Sequence, residues 1–437
     1  MILDNADDID VFRQTQEHSF QSNNTLPHAV PLASYIPQTA TGSVLITTRD
    51  RRAASWLSSG YESIIPIELM DGDEAKQLLR TKIPASLSTE FDLEELVREL
   101  GYLPLAITQA AAYISARATR MTVFKYLTFY RHDEANQSRL LDEESGDLRR
   151  DPGVPNSVIR TWQISFDQIK RTCPRSAKLL SLMAVLDRQG IPESLLSAAD
   201  QNPLDFETAL SPLDEFALII VEKGGKSFEM HRLVQLATRK WLERHMEIHR
   251  WQEEATNVLS KAFPSGDYRN WGTCERLSPH AREVLKYEPV SDEHLLARGS
   301  LLYNMASYSW KQGRYTIARE QIQESLAIRE RLLKDFHKNI LDSIVLLALV
   351  LGAQGKYEEA EAMNRRALAG YETALGPEHP DTLASVGNLA GVLHDQGKYE
   401  EAEAMNRRAL VGKETALGPE HPDTLTSVNN LTLVLQA

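Results

Sequence analysis

Cysteine is nearly missing from this chain of 437 residues, with Cys173 and Cys274 the only two. Two thiols exclude a disulfide framework and a cysteine-based zinc site, and are ordinary for a reducing compartment. Long apolar runs are lacking as well: the longest, Ile344 to Leu351, falls far short of the ~20 residues that span a bilayer. No basic stretch followed by an apolar core marks the N-terminus, so the reading is a soluble, cytoplasmic protein without a membrane role. Positive charge is scarce too. Lys and Arg number 48 against 61 Asp and Glu, a net charge of −13, whereas non-specific nucleic-acid binding needs a dense basic footprint. From Gly355 to Ala437 seven basic residues face thirteen acidic ones.

Several chemical signatures are also absent. No Ser nucleophile elbow is visible, so covalent hydrolysis has no support. His245 and His249 have the spacing of paired metal ligands but lack Glu directly after the first His, so a solvated helix face is expected and no metal site from the protein alone. Gly224-Gly225-Lys226-Ser227 is the nearest approach to a phosphate-cradling loop. It has Ile220 where that loop needs glycine, and a strand pattern follows where a helix should; a hairpin turn is the expectation.

What is present begins with a duplication. The fourteen residues from Gly355 to Leu368 recur from Gly397 to Leu410, 42 positions later, and Leu-Gly-Pro-Glu-His-Pro-Asp-Thr-Leu starts at both Leu375 and Leu417. A weaker copy carries Gly313, Tyr315, Ala318 and Leu326. A period of this size predicts a solenoid of helical hairpins, each unable to bury its apolar face alone. Leu383, Val386, Leu389, Ala390 and Leu393 keep helical spacing; Gly397 ends that helix, and Tyr399, Ala402, Met405 and Ala409 mark the next. Pairs are expected from near Gly299, Leu341 and Leu383, then a single helix from Leu425 whose Leu425, Val428, Leu431 and Leu435 face awaits a further helix. The pattern resembles tetratricopeptide repeats of the kinesin-light-chain kind. That resemblance implies a protein or peptide ligand, with Asn388 and Asn430 either lining a peptide-binding groove or merely polar on the helix surface. His379 and His421 recur with the period, which points to packing and turn roles.

Upstream, Ile2-Leu3 reads as a strand followed by Asp4, Asn5, Asp7 and Asp8. Val44 to Thr47 reads as a buried parallel strand with Thr48 and Arg49 at its carboxyl end, the edge where open α/β sheets bind ligands. Ile64 to Leu69 suggests a further strand. A helix from Asp92 stops at Gly101, and Pro104 suits the first turn of the next. Residues 121–150 look irregular, and Asp151 to Pro155 reads as a linker. Val158 to Lys170, Ser176 to Leu186 and Pro192 to Ala199 read as helices; Phe216 to Val221 and Ser227 to His231 flank a glycine turn as a hairpin, and Leu233, Leu236, Ala237 and Trp241 form an amphipathic helix. A winged-helix domain is the simplest reading of that segment.

Four motifs in order then resemble one family. Ile2-Leu3-Asp4-Asn5-Ala6-Asp7 is similar to a Walker B strand, Ile46-Thr47-Thr48-Arg49 to a sensor strand, Gly101-Tyr102-Leu103-Pro104-Leu105 to the Gly-Leu-Pro-Leu motif, and Met230-His231-Arg232 to the Met-His-Asp motif. Together they resemble the NB-ARC type of STAND nucleotidase found in NOD-like receptors. The resemblance implies nucleotide and magnesium contacts from Asp4, Asp7, Thr48, Arg49, Pro104 and His231: Asp4 on Mg2+ through water, Arg49 on the terminal phosphate, Pro104 near the base, His231 on the phosphates of ADP in a locked closed state. ADP or ATP with Mg2+ is the cofactor of the intact family. Two departures matter. The phosphate-cradling loop is expected upstream of Met1, making the chain an N-terminally truncated member, and Arg232 replaces the motif's Asp. The chain by itself is therefore expected to bind ADP poorly and to hydrolyse nothing at a useful rate.

The expected architecture is multidomain: part of an α/β P-loop-type domain at 1–70, a helical domain at 71–155, a winged-helix domain at 156–250, a helical spacer at 251–293, and an all-α repeat solenoid at 294–437. The expected function is an ADP/ATP-regulated signalling switch, able to form homo-oligomers on activation, whose repeats recognise a protein. A protein-interaction scaffold without nucleotide function is the alternative, and a winged-helix DNA-binding regulator, disfavoured by the charge balance, the third.

Overall fold

A computed structural model of the chain describes residues 1–3, 6, 12, 32–36, 43–58, 63–67, 69–132, 134–142, 158–197, 202–222 and 224–436. They divide into two units, Met1–Ile248 and His249–Ala437. Asp4, Asn5, Asp7 and Asp8, and the linker expected at Asp151 to Pro155, lie outside the described residues.

In the first unit, strands β1 (Ile2–Leu3) and β2 (Leu45–Ile46) pair in parallel with Leu3 opposite Ile46. Ala6 N donates to Thr47 O at 2.9 Å and prolongs the pairing. The parallel strand is where the apolar run predicts it, yet Leu45 is 60% exposed: the sheet has two strands among the described residues, too few to bury both faces. The strand expected from Ile64 does not form at residues 64–67, and Ile65 and Ile67 are exposed. An apolar run becomes a strand only where a neighbour takes its backbone bonds.

Asp50 starts helix α1 (Arg51–Leu57); its buried carboxylate accepts from Arg52 N at 2.8 Å and Ala53 N at 3.3 Å. Helices α2 (Gly72–Lys82) and α3 (Glu90–Glu99) each begin with a capping box, Asp71 with Glu74 and Thr89 with Asp92. Then come α4 (Pro104–Ala116), α5 (Val123–His132) and α6 (Glu134–Asp142). The last two correct the irregular reading of 121–150 as far as residue 142; residues 143–150 lie outside the described ones. Val123, Tyr126, Leu127 and Tyr130 are buried at helical spacing, a stripe that the surrounding charges obscure.

Helices α7 (Val158–Thr172) and α8 (Pro174–Ala184) precede β3 (Ile191–Pro192), α9 (Glu193–Leu196) and α10 (Pro203–Glu215). The expected helix from Pro192 thus shrinks to one turn, and α10 is unannounced. The expected hairpin forms: β4 (Ile219–Val221) and β5 (Ser227–Met230) are antiparallel, with β3 on the far side of β5. Helix α11 (Arg232–Arg244) closes the unit. Its Leu233, Leu236 and Ala237 pack into the core built by Leu79, Leu96, Ile107 and Tyr126 of the helices before it, a joint across sequence-distant elements.

The second unit starts with α12 (Ile248–Ala262) and α13 (Trp271–Val284). Three helical pairs follow: α14 (Asp292–Lys311) with α15 (Tyr315–Leu332), α16 (Lys338–Ala353) with α17 (Tyr357–Leu375), α18 (Pro380–Asp395) with α19 (Tyr399–Leu417), then α20 (Pro422–Gln436). These are the pairs that the duplication predicts. The repeat also reproduces its joints. His337, His379 and His421 cap α16, α18 and α20, each Nδ1 accepting from the backbone N–H two residues on, at 3.2, 3.1 and 3.2 Å. Gly412 lets α19 approach α18 closely, since a Cβ there would stand 2.5 Å from Leu383 Cδ2. Arg366 pairs with Glu330 at 2.5 Å and Arg408 with Glu372 at 2.6 Å across successive units. Such half-exposed pairs contribute little; buried seams such as Val386, Leu389 and Leu393 hold the array together. Leu425, Val428 and Leu435 of α20 are exposed. Among the described residues no helix is long and apolar enough to cross a membrane.

Candidate functional site

Two of the sequence motifs meet in the first unit. Helix α3 ends at a tight reversal in which Gly101 and Tyr102 both take left-handed backbone, φ 62° and 57°. Tyr102 N donates to Val97 O at 3.0 Å, which ties the reversal to the last turn of α3. Pro104 follows in the first turn of α4 and is exposed. Above the reversal lies His231. A Cβ on Gly101 would overlap His231 Nε2, so glycine is required here both for its backbone conformation and for the ring that covers it.

Both nitrogens of that imidazole are engaged. Nδ1 accepts from Leu233 N at 3.2 Å and caps α11; the remaining nitrogen, Nε2, bonds the backbone of Gly101. Burial holds the His231 pKa below its ordinary 6.5, with the Gly101 bond opposing, so the ring is neutral: one nitrogen accepts and the other donates. Trp162 stands beside it, ring centroids 6.3 Å apart.

A charge cluster flanks this contact on both segments. Glu99, two residues before Gly101, accepts from Arg232, one residue after His231. It accepts also from Arg131 Nε at 2.8 Å, and Arg131 reaches on to Glu95. Burial pushes the Glu99 carboxyl up, but the bonds from Arg131 and Arg232 outweigh it and hold the pKa below the usual 4.5. The Arg232 guanidinium lies 5.8 Å from the Tyr130 ring centroid, and burial pushes the Tyr130 hydroxyl up to about 12. Glu99 and Arg131 carry no signature in the sequence: a Glu at a helix end and an Arg on another helix become a site only when the fold brings them together.

Thr48 and Arg49 stand at the carboxyl end of β2, both partly buried. Thr48 Oγ1 accepts from Asp50 N at 3.0 Å, so its hydroxyl shapes the strand-to-helix turn. Asp50 was not singled out in the sequence, although an Asp directly before a helix is a usual N-cap signal. Two basic residues of α11 are committed to partners: Arg239 Nε donates to Ala184 O at 2.6 Å, at the end of α8, and Lys240 pairs with Glu243 at 2.6 Å. That leaves less of the footprint a DNA-binding reading requires.

In the repeats, Asn388 and Asn430 are half-buried on α18 and α20. Gly387 and Gly391 beside Asn388 have open space where a side chain would be. Between the first two pairs, Ile340, Leu341 and Ile344 floor a cleft of about 390 Å³, edged by Phe336 and by the Glu330–Arg366 pair.

The comparisons with known proteins agree with the repeat assignment. The tetratricopeptide-repeat family model matches residues 298–373, 341–414 and 381–437, and a domain of unknown function (DUF7779) matches 167–247. A nucleotide-binding leucine-rich repeat (NLR)-like protein of Hyaloscypha variabilis is 33% identical over 352 residues, 79% of this chain and 34% of that protein. Over most of its length the chain is similar to that NLR-like protein, and its C-terminal third matches tetratricopeptide repeats. The regulatory protein AfsR of Streptomyces griseus is 29% identical over 223 residues, 49% of this chain and 20% of its own length. The chain thus spans about a third or less of these curated relatives. Among solved structures, a STAND protein with a tetratricopeptide repeat sensor from Pyrococcus horikoshii covers 92% of this chain and 68% of its own, at 15% identity and a TM-score of 0.29, a score too low to carry an argument.

Proposed function

We propose that this chain is a signalling switch whose N-terminal unit closes and opens under nucleotide control while its repeats recognise a protein or peptide. The observation that carries this reading is the seating of His231 on Gly101, which joins α11 to the α3–α4 reversal and so brings the motif that the resemblance assigns to the closed state onto the one it assigns to the nucleotide base. A contact made of one imidazole and one turn can be traded, and a ligand moves such an equilibrium through its differential affinity for the two states.

ADP or ATP with Mg2+ is the proposed effector. Asp4 and Asp7 are the proposed magnesium contacts, Thr48 and Arg49 the phosphate contacts, Pro104 the base contact and His231 the sensor. The fit is partial. Both His231 nitrogens are already bonded, so a contact with a phosphate requires the ring to give up Gly101 or Leu233. The 437 residues contain no phosphate-cradling glycine loop, and most phosphate affinity comes from such backbone amides. Weak ADP binding by this chain is therefore expected. In the repeats, Asn388 and Asn430 are the proposed contacts to a peptide backbone.

Thermal unfolding of the whole chain with and without Mg·ADP tests the reading. Stabilisation of the first unit by millimolar ADP, reduced in His231→Ala, is expected from linkage. An unmoved transition at saturating nucleotide, in wild type and variant alike, would leave the repeats as a binding scaffold and end the switch reading.

A further inference from the structure

Arg232 is where the chain departs from the motif it resembles, and it also reaches a residue far away in sequence. Its guanidinium bonds Glu99, 133 positions away in sequence. The geometry places this pair directly beside the His231–Gly101 contact on both strands of the joint, since Glu99 precedes the reversal by two residues and Arg232 follows His231 by one. Glu99 is only 16% exposed and takes a second cation, Arg131, so solvent screens the pair less than an ordinary surface bridge. The motif's Asp at position 232 would set a carboxylate against this half-buried one. The departure at 232 and the acid at 99 thus fit each other.

We propose that Arg232 is a positioning residue: with Arg131 it clamps Glu99 and thereby seats the His231 imidazole on the Gly101 reversal without help from a nucleotide. The closed state of this chain is then held by an intramolecular charge clamp. What that state is for rests on the switch reading above; its existence does not. A phosphate is unnecessary for closure because the neutral imidazole already has a partner at each nitrogen. Release requires Glu99 to lose its cations, which frees Gly101 to Leu105 as one stretch.

Hydrogen–deuterium exchange on the whole chain, free of nucleotide, tests the clamp. In Arg232→Asp the amides of residues 97–103 and of Leu233 should exchange at least about tenfold faster, as expected when a charge-assisted bond becomes a repulsion. Arg232→Lys, which keeps the charge, should stay within about threefold of wild type. In a Glu99→Gln background the same Arg232→Asp change should cost less than about threefold, because the facing carboxylate is gone. Unchanged exchange of the amides of α8 (Pro174–Ala184), in the first unit and remote in sequence from both sides of the joint, controls for folding. If Arg232→Asp unfolds the first unit outright, Arg232→Lys against Glu99→Gln decides, the first protected and the second not. Exchange in Arg232→Asp within about twofold of wild type, or an equal cost with and without Glu99, overturns the clamp. Added Mg·ADP separates the two readings: no further protection in wild type counts against nucleotide control and leaves the clamp standing.

Discussion

The two units of this chain are held together by opposite strategies. In the repeat array one local solution is copied: the same His cap, the same close glycine and the same apolar seam recur every 42 residues. In the N-terminal unit the decisive joint occurs once and unites positions more than a hundred residues apart. Copied joints share the load, since each unit contacts only its neighbours and losing one contact weakens one interface. A unique joint has no such reserve, and its failure separates the elements it unites. The repeats should accordingly tolerate lesions that the first unit does not.

Gly101→Ala is the strongest way to break that contrast. The left-handed backbone disfavours a side chain, and the added Cβ overlaps His231, so the first unit should lose about 2–4 kcal/mol. Calorimetry should move one transition down and leave that of the repeats in place; a joint shift of both would contradict the division. Gly412→Ala is the matching lesion in the array. Its Cβ would meet Leu383 Cδ2 at 2.5 Å, and the expected cost is about 1–3 kcal/mol, confined to the α18–α19 pair in hydrogen exchange. Equal loss of protection from α14 to α20 would refute the picture of separable units.

The same contrast explains what was legible in the sequence. Self-similarity exposes every helix of the array, because a residue such as His379 is read together with its counterpart His421 and both do the same thing. The motifs around Gly101 and His231 were visible one at a time, but their contact was not, and Glu99 and Arg131 had nothing to distinguish them. Local pattern misled where tertiary context decides. Ile65 and Ile67 look like a strand and are exposed, while Tyr126 and Tyr130 sit among charges and are buried.

Acid should separate the units more gently. The folded-state pKa of His231 lies below the ordinary 6.5 because burial disfavours the imidazolium. The unfolded chain therefore binds the proton more readily, and the neutral-ring contribution is complete above pH 6.5 and is lost as pH falls from there toward the folded value. One site limits the slope to about 1.4 kcal/mol per pH unit. Denaturant unfolding between pH 7 and 5 should show the first unit weakening, with the slope reduced in His231→Asn. An identical slope in that variant would assign the acid sensitivity to another group of the first unit.

The smallest effect tests how faithfully the array copies its joints. At the end of α15 the Arg329 guanidinium donates to Ser343 Oγ at 2.7 Å, and at the end of α19 Lys413 donates to Ser427 Oγ at 3.0 Å. The residue between them in the period is Tyr371, whose hydroxyl goes instead to Asp342 at 2.5 Å. Ser385, the counterpart of Ser343 and Ser427, is buried with its hydroxyl unpaired. Removing a partnered hydroxyl takes one acceptor from a buried cation and leaves it a backbone carbonyl, Asn339 O for Arg329 and Asp423 O for Lys413, whereas removing an unpaired one relieves a desolvated group. Ser427→Ala should therefore destabilise by about 1–2 kcal/mol, while Ser385→Ala should be neutral or stabilise by up to about 1 kcal/mol. Chemical denaturation of the two Ser→Ala variants side by side reads the difference. If Ser385→Ala costs as much as Ser427→Ala, the middle joint has a partner that its neighbours do not use, and the array is less uniform than its sequence.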